Sequence, residues 1–270
     1  MVVQHNLQAA NTNRMLGQNV KAVSKSTEKL SSGYQVNRAA DDAAGLSISE
    51  KMRNQIRGIN QAVKNSEDGV SLIQTAEGNM NEIHSILQRM GELATKAAND
   101  VNASDDRQAI DDEMTQLRDE INSIAKKAAF NGTKLLTGSF KDKQLQVGAV
   151  AGENMSITIS SMTATSIGVN ALSVSSHEVA ASAMTAISKA IKDVSTARSK
   201  LGAIQNRLNY TINNLENYSE NLTAAESQIR DTDMATEMTN YTKNNILQQA
   251  AQSMLAQSNQ STQGVLSLLQ

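Results

Sequence analysis

AMTAISKAIKDVSTARSKLGAIQNRLNYTINNLENYSENLTAAESQI, residues 183–229, decides the fold. Its seam runs through Ala183, Ile187, Ala190, Val194, Ala197, Leu201, Ile204, Leu208, Thr211, Leu215, Tyr218, Leu222, Ala225 and Ile229, and only Thr211 is polar. The spacing alternates four and three without a slip, which is the heptad pattern of a helix packed along its whole length. As one helix it would be ~70 Å long at about 1.5 Å of rise per residue. A globular helix of three or four turns does not need this seam; a rod does.

Two further stretches read as helices. Ile110, Met114, Leu117, Ile121, Ile124 and Ala128 form a second seam. Ser104-Asp105-Asp106 opens it, with Ser104 expected as the cap and the acids suited to the positive end of the helix dipole. Phe130-Asn131-Gly132 closes it, because Asn-Gly supplies the positive φ that stops a helix or makes a turn. A third stretch repeats Ile59, Ser66, Ile73, Met80, Leu87 and Ala94 at sevens, with Val63 and Val70 expected on the partner position. Its apolar face broadens around Ile83, Ile86, Met90, Leu93 and Ala97. Short breaks such as 99–104 favour antiparallel neighbours, hence a bundle.

The middle of the chain changes period. Leu145-Gln146-Val147 and Met155-Ser156-Ile157-Thr158-Ile159 alternate apolar and polar on either side of Gly152-Glu153-Asn154, predicting a small β-hairpin region at about 134–172. It is too small to bury a core alone and must lean on the helices. At the ends, residues 1–31 carry Val3, Leu7, Leu16, Val20, Val23 and Leu30 among many polar residues. Residues 240–270 carry Ile246, Leu247, Leu255, Val265, Leu266 and Leu269 in a similar setting. Both read as amphipathic helices with weak apolar stripes that need partners to order.

Composition agrees with rods. The 270 residues include no proline, cysteine or tryptophan, and only four Tyr and two Phe. Nothing therefore obligatorily interrupts a helix, no disulfide is possible, and a compact core built on aromatic volume is excluded. With 25 basic and 27 acidic residues the net charge of -2 argues against a nucleic-acid partner. No stretch reaches the ~18–20 apolar residues of a membrane span, so no membrane insertion is expected. The start carries no basic and apolar run of the Sec type, and export without such a signal is the alternative to a cytoplasmic home.

Catalytic chemistry is missing from the sequence. His177-Glu178 begins like a zinc-binding HExxH, but Ala181 stands where the second histidine is required. His84 lies on the heptad stripe, and the adjacent pairs Asp41-Asp42 and Asp111-Asp112 point to different helix faces, better suited to capping or ion pairs than to shared chemistry. The twelve methionines fall at packing positions. Neither an enzyme nor a bound cofactor or metal is expected.

The segment Leu30-Ser31-Ser32-Gly33 through Asn37-Arg38-Ala39-Ala40-Asp41-Asp42-Ala43-Ala44-Gly45-Leu46 resembles the signature of bacterial flagellins. Leu87-Gln88-Arg89-Met90-Gly91-Glu92-Leu93-Ala94 is similar to their LQR-x-x-ELA stretch, and Phe130-Asn131-Gly132 to their FNG. Leu201 to Leu208, Ile246 to Ala250 and Val265 to Leu269 resemble their C-terminal motifs in the same order. The resemblance implies a mainly α protein: a long antiparallel coiled-coil bundle with a small β-hairpin region, its N- and C-terminal helices paired. It implies an inner polymerisation domain of residues 1–42 and 230–270, and a rod domain of 43–229. The variable outer domains of longer members are expected to be missing, since little sequence separates the two halves.

The implied function is a structural subunit polymerising into the flagellar filament, through residues such as Leu7, Val20, Val23, Leu30, Ile246, Leu247, Leu255, Val265, Leu266 and Leu269. Implied partners are many copies of the chain, an export chaperone of the type III route, hook-associated junction proteins and the filament cap. The resemblance also implies recognition by Toll-like receptor five through Arg89, Leu93 and Glu113. Arg89 and Glu113 could equally be a surface ion pair worth under ~1 kcal/mol, and Leu93 could equally be core. Met90-Gly91 replaces the β-branched residue and second arginine of some receptor-active members, so weaker binding is expected. A hook-filament junction protein shares the terminal patterns. A chemoreceptor-like signalling hairpin shares the heptads but needs a membrane or sensory segment and a helical central tip, where this chain has its period-two segment.

Overall fold

A computed structural model describes residues 6–267 of the chain, with side chains described to residue 261. The elements are helices α1 (Leu7–Ser32), α2 (Ala43–Ala97) and α3 (Ser104–Lys127), strands β1 (Ala129–Phe130), β2 (Thr133–Lys134), β3 (Lys143–Gln146) and β4 (Asn154–Ile157), then α4 (His177–Arg230) and α5 (Met234–Ser267). Two compact units divide the chain: one holds the ends, up to Asn54 and from Glu220, and the other is Gln55–Ser219. The helix breaks fall at 33–42 and 231–233, so α2 and α4 each contribute to both units. Among the described residues no helix is long and apolar enough to cross a membrane.

In the central unit α2 buries a strict heptad. Ile59, Ser66, Ile73, Met80, Leu87 and Ala94 are buried at sevens as expected, but the partner series is Ala62, Gly69, Ala76, Ile83, Met90 and Ala97. Val63 and Val70 are only half-buried, one position beyond the seam. Small residues hold four of the six partner positions, and the larger valines flank the series. Gly69 shows the reason, since a Cβ there would run into Leu145 of β3 and press on Leu208 of α4. Along α4, Ala183, Ile187, Ala190, Val194, Leu201 and Leu208 are buried. Beyond Leu208 the seam residues are half-buried, and Tyr218 is exposed.

The third wall is α3, which buries Ile110, Met114, Ile121 and Ala125. Its cap is Ala103, not Ser104: the Ala103 N–H donates to the Asp106 carboxylate at 3.3 Å, and Ser104 is already helical. Alanine has no side-chain acceptor, so only the acid's half of a capping box is present. The helix ends into a hairpin, Ala129 opposite Lys134 and Phe130 opposite Thr133. Asn131 and Gly132 form its two-residue turn with φ of 46° and 76°, both left-handed, as this tight hairpin connection requires. The β region therefore starts at Ala129, before the expected 134, and comprises two hairpins.

The second hairpin pairs Leu145 with Met155 and Lys143 with Ile157. Met155 and Ile157 are buried, and Leu135, Leu136, Ile159, Ala164 and Val169 join the same core as α2, α3 and α4. The irregular segment after β4 is held by polar side chains of α3. Asn122 Oδ1 accepts from Ala164 N at 3.0 Å, Arg118 donates to the Asn170 carbonyl at 3.1 Å, and Asp111 Oδ1 accepts from Val174 N at 2.9 Å. These bonds satisfy backbone groups that no strand partner reaches.

Candidate functional site

The chain's ends meet in a helix pair, α1 against α5. The seam mixes apolar and polar residues, and its fully buried members are polar. Ala9, Thr12, Leu16, Asn19, Val23, Ser26 and Leu30 recur at threes and fours as the less exposed positions of α1, and Ser26 is buried. Their counterparts on α5 are Glu237, Tyr241, Asn244, Gln248, Ala251, Leu255 and Ser258, of which Glu237 and Ser258 are buried. Polar contacts tie this seam at both ends. Asn6 Nδ2 donates to the Ser258 carbonyl at 3.3 Å, and the Lys29 ammonium lies 3.8 Å from Glu237.

Apolar side chains point the other way. Leu7, Met15, Val20, Met234, Met238, Ile246, Leu247 and Met254 are exposed. At about 100° per residue, Met234 and Met238 flank one side of the α5 seam, Leu247 and Met254 flank the other, and Ile246 lies opposite it. The expected single stripe on α5 is thus not found. Exposed apolar residues on both flanks of a helix and opposite its seam suit one that several neighbours surround. Of the expected polymerisation residues, Leu7, Val20, Ile246 and Leu247 face outward, while Val23, Leu30 and Leu255 are half-buried. Val3 and Leu269 lie outside the described residues, as do the side chains of Val265 and Leu266.

Between the helices, residues 33–42 and 231–233 are stitched together. Tyr34 and Asp231 form an antiparallel bridge, with Gln35 N donating to Arg230 O at 2.7 Å and Thr232 N to Gly33 O at 2.9 Å. The Arg230 guanidinium stands 4.7 Å above the Tyr34 ring and donates to Glu50 at 2.9 Å. Asp41 pairs with Lys25 at 2.9 Å and accepts from the Asn37 and Arg38 N–H groups. The Lys25 ammonium, chiefly, holds the Asp41 carboxyl below its ordinary range, and Asp41 in turn raises Lys25. Asp42 caps α2, accepting from Ala44 N at 3.0 Å and Gly45 N at 2.9 Å. Asp233 does the same for α5 through the Thr236 hydroxyl and Ala235 N, and these bonds lower its pKa. Both acids of Asp41-Asp42 are therefore structural.

In the central unit Arg89 lies between two helices. Its Nε and Nη2 both reach Glu113 Oε1 of α3, at 3.1 and 3.0 Å, and Nη1 reaches Glu92 at 3.0 Å. The two carboxylates, Glu92 first, raise the Arg89 pKa. The cluster is half-exposed. Leu93 is not part of that surface: it is 3% exposed and sits in the core beneath it. His84 contacts Gln88 at 3.2 Å, and His177 Nδ1 lies 2.6 Å from the Ala98 carbonyl, bringing the start of α4 to the end of α2.

A family model described as the bacterial flagellin N-terminal helical region matches residues 3–141, and one described as the bacterial flagellin C-terminal helical region matches 184–269. The chain belongs to the bacterial flagellin family. It is 53% identical to a flagellin of Halalkalibacterium halodurans and 48% identical to one of Bacillus subtilis, each alignment covering 100% of both chains. It is 44% identical to the flagellar filament 31.3 kDa core protein of Treponema maltophilum over 100% of both. The crystal structure of Bacillus cereus flagellin superposes with a TM-score of 0.51 at 31% identity, over 56% of this chain and 88% of that one. A flagellin is a structural filament protein, not an enzyme.

Membership gives the motif residues their physical roles. Gly33 ends α1 with φ of 76°, Asn37 Nδ2 bonds Ser32 Oγ at 2.8 Å, and Asp41 and Asp42 order the turn into α2. Sequence reading missed Ser26, Glu237 and Ser258, because a search for apolar stripes passes over the polar positions of a mixed seam. The three–four spacing of Glu237, Tyr241, Asn244, Gln248, Ala251, Leu255 and Ser258 was the signal that could have found it.

Proposed function

We propose that the chain polymerises into an extracellular flagellar filament through the outward apolar side chains of its terminal helices. One observation carries this reading: the α1–α5 pair fully buries only Ser26, Glu237 and Ser258 in its mixed seam and leaves Leu7, Val20, Ile246 and Leu247 in water. A monomer gains nothing from that arrangement, whereas many copies would bury the same surface against one another. In this reading residues 1–42 and 230–270 are the polymerisation domain and 43–229 the rod. The chain leaves the cell by the type III route with an export chaperone and meets hook-associated junction proteins and the filament cap. Toll-like receptor five contacts Arg89 and Glu113, with Leu93 supporting the helix from below.

The test is assembly of purified Ile246→Ser protein, followed by electron microscopy. Filaments from wild type and none from the variant, at unchanged helicity, support the reading; normal filaments from the variant overturn it. For the receptor, Arg89→Ala binding as tightly as wild type would remove that part alone.

A further inference from the structure

Four of the exposed apolar side chains on the terminal pair are methionines: Met15, Met234, Met238 and Met254, each between 46% and 55% exposed. In the central unit Met80, Met90, Met114, Met155 and Met162 are buried, all at 8% exposure or less, while Met184 is 36% exposed. Thioether sulfur accepts oxygen readily where an oxidant can reach it, and a sulfoxide is polar where the thioether was apolar. The four most exposed of these methionines therefore lie on the apolar surface through which the terminal helices would polymerise.

We propose, resting on that assembly reading, that these four methionines are an oxidation site that sets whether a subunit can join the filament. A peroxide is the co-reactant: its O–O bond breaks, one oxygen bonds to the methionine sulfur, which loses two electrons, and water leaves. In a free subunit all four side chains are about half-exposed to this reaction. In a filament further copies of the chain cover them, so the assembled polymer is protected and the unassembled pool is not. Each sulfoxide forced into an apolar contact without a hydrogen-bond donor raises the critical concentration for polymerisation about tenfold. Reduction by methionine sulfoxide reductases of both epimer specificities returns the thioether, which makes the block reversible.

The experiment treats full-length monomer and preformed filament with the same dilute hydrogen peroxide, then maps added oxygen by peptide mass spectrometry and measures polymerisation. The expected result is oxygen on Met15, Met234, Met238 and Met254 in the monomer, none on Met80, Met90 or Met114, and protection of the four in the filament. The oxidised monomer polymerises at least about tenfold less well and recovers after reductase treatment. A variant carrying Met15→Leu, Met234→Leu, Met238→Leu and Met254→Leu polymerises equally before and after peroxide, with Met184 retained as an internal control. Equal loss of assembly in that variant, unimpaired assembly of oxidised wild type, or equal oxidation in filament and monomer would each overturn the proposal. If untreated wild type does not polymerise, the assembly reading and this proposal fall together, whereas the three outcomes just named leave assembly standing.

Discussion

The seam of α2 and the seam between α1 and α5 follow the same three–four spacing but bury different residues. From Ile59 to Ala97, α2 buries aliphatic, methionine and small residues, with Ser66 as the one hydroxyl, and Ser66 bonds the Ala62 carbonyl at 2.8 Å. The terminal pair buries Ser26, Glu237 and Ser258 and turns Leu7, Ile246 and Leu247 outward. Identical periodicity therefore serves two ends. In the central unit it closes a core within one chain. In the terminal pair it sets the register of two helices while Leu7, Ile246 and Leu247 stay exposed. A heptad shows that a helix packs; the residues on it show whether the packing is complete.

The sharpest way to break this comparison is to truncate one leucine or isoleucine in each region. Leu87→Ala opens a cavity in the central core and should cost about 2–5 kcal/mol in a urea titration. Ile246→Ala should change monomer stability by no more than about 0.5 kcal/mol while it depresses polymerisation. Similar monomer losses for both would show that the terminal pair is an ordinary core after all. Next in size is Asp42→Ala, which removes the acceptor for Ala44 N and Gly45 N and should cost about 1 kcal/mol of thermal stability.

A smaller effect of opposite sign is expected at Gly91. A Cβ there would meet only Ile187 Cγ2 at 3.7 Å, an ordinary contact. Gly91→Ala should therefore stabilise the central unit by about 0.5–1 kcal/mol in the same titration, with nothing gained in the terminal pair. The smallest effect is that of acid on the terminal unit. Asp41 and Asp233 are held below their ordinary value of 3.8 by the folded structure. Their contribution is present above that value and is lost as pH falls through the lower folded values. Amide exchange measured below about pH 4 should rise first at 33–42 and at the start of α5, before α2 and α4 respond. Simultaneous loss throughout the chain would remove these two carboxyls as the cause.

The central fold was legible in the sequence because its buried series are apolar and strictly spaced. Where the reading slipped, volume misled it. Val63 and Val70 are larger than Ala62 and Gly69, yet the smaller residues hold the seam, because close helix and hairpin approach selects for lack of bulk. At Ser104 the capping residue type was present but one position inside the helix, and Asp106 took over the role by reaching back. The terminal seam was the least legible, because hydropathy separates inside from outside only for a molecule that is finished by itself. Leu93 shows the same limit in reverse: the resemblance implied a surface role, and its burial places it in the core.

The clasp of Asp111, Arg118 and Asn122 on the segment after β4 bears on how the chain can be cut. That segment has little regular structure and would pass, on sequence, for a flexible loop open to proteases. A protease needs several residues of backbone free to be drawn out and reshaped in its cleft. Here the Ala164 and Val174 amides and the Asn170 carbonyl are already engaged by α3, and Ala164, Val169 and Val174 are anchored in the core. A stretch that looks like an open hinge is thereby one of the poorer cutting sites on the molecule.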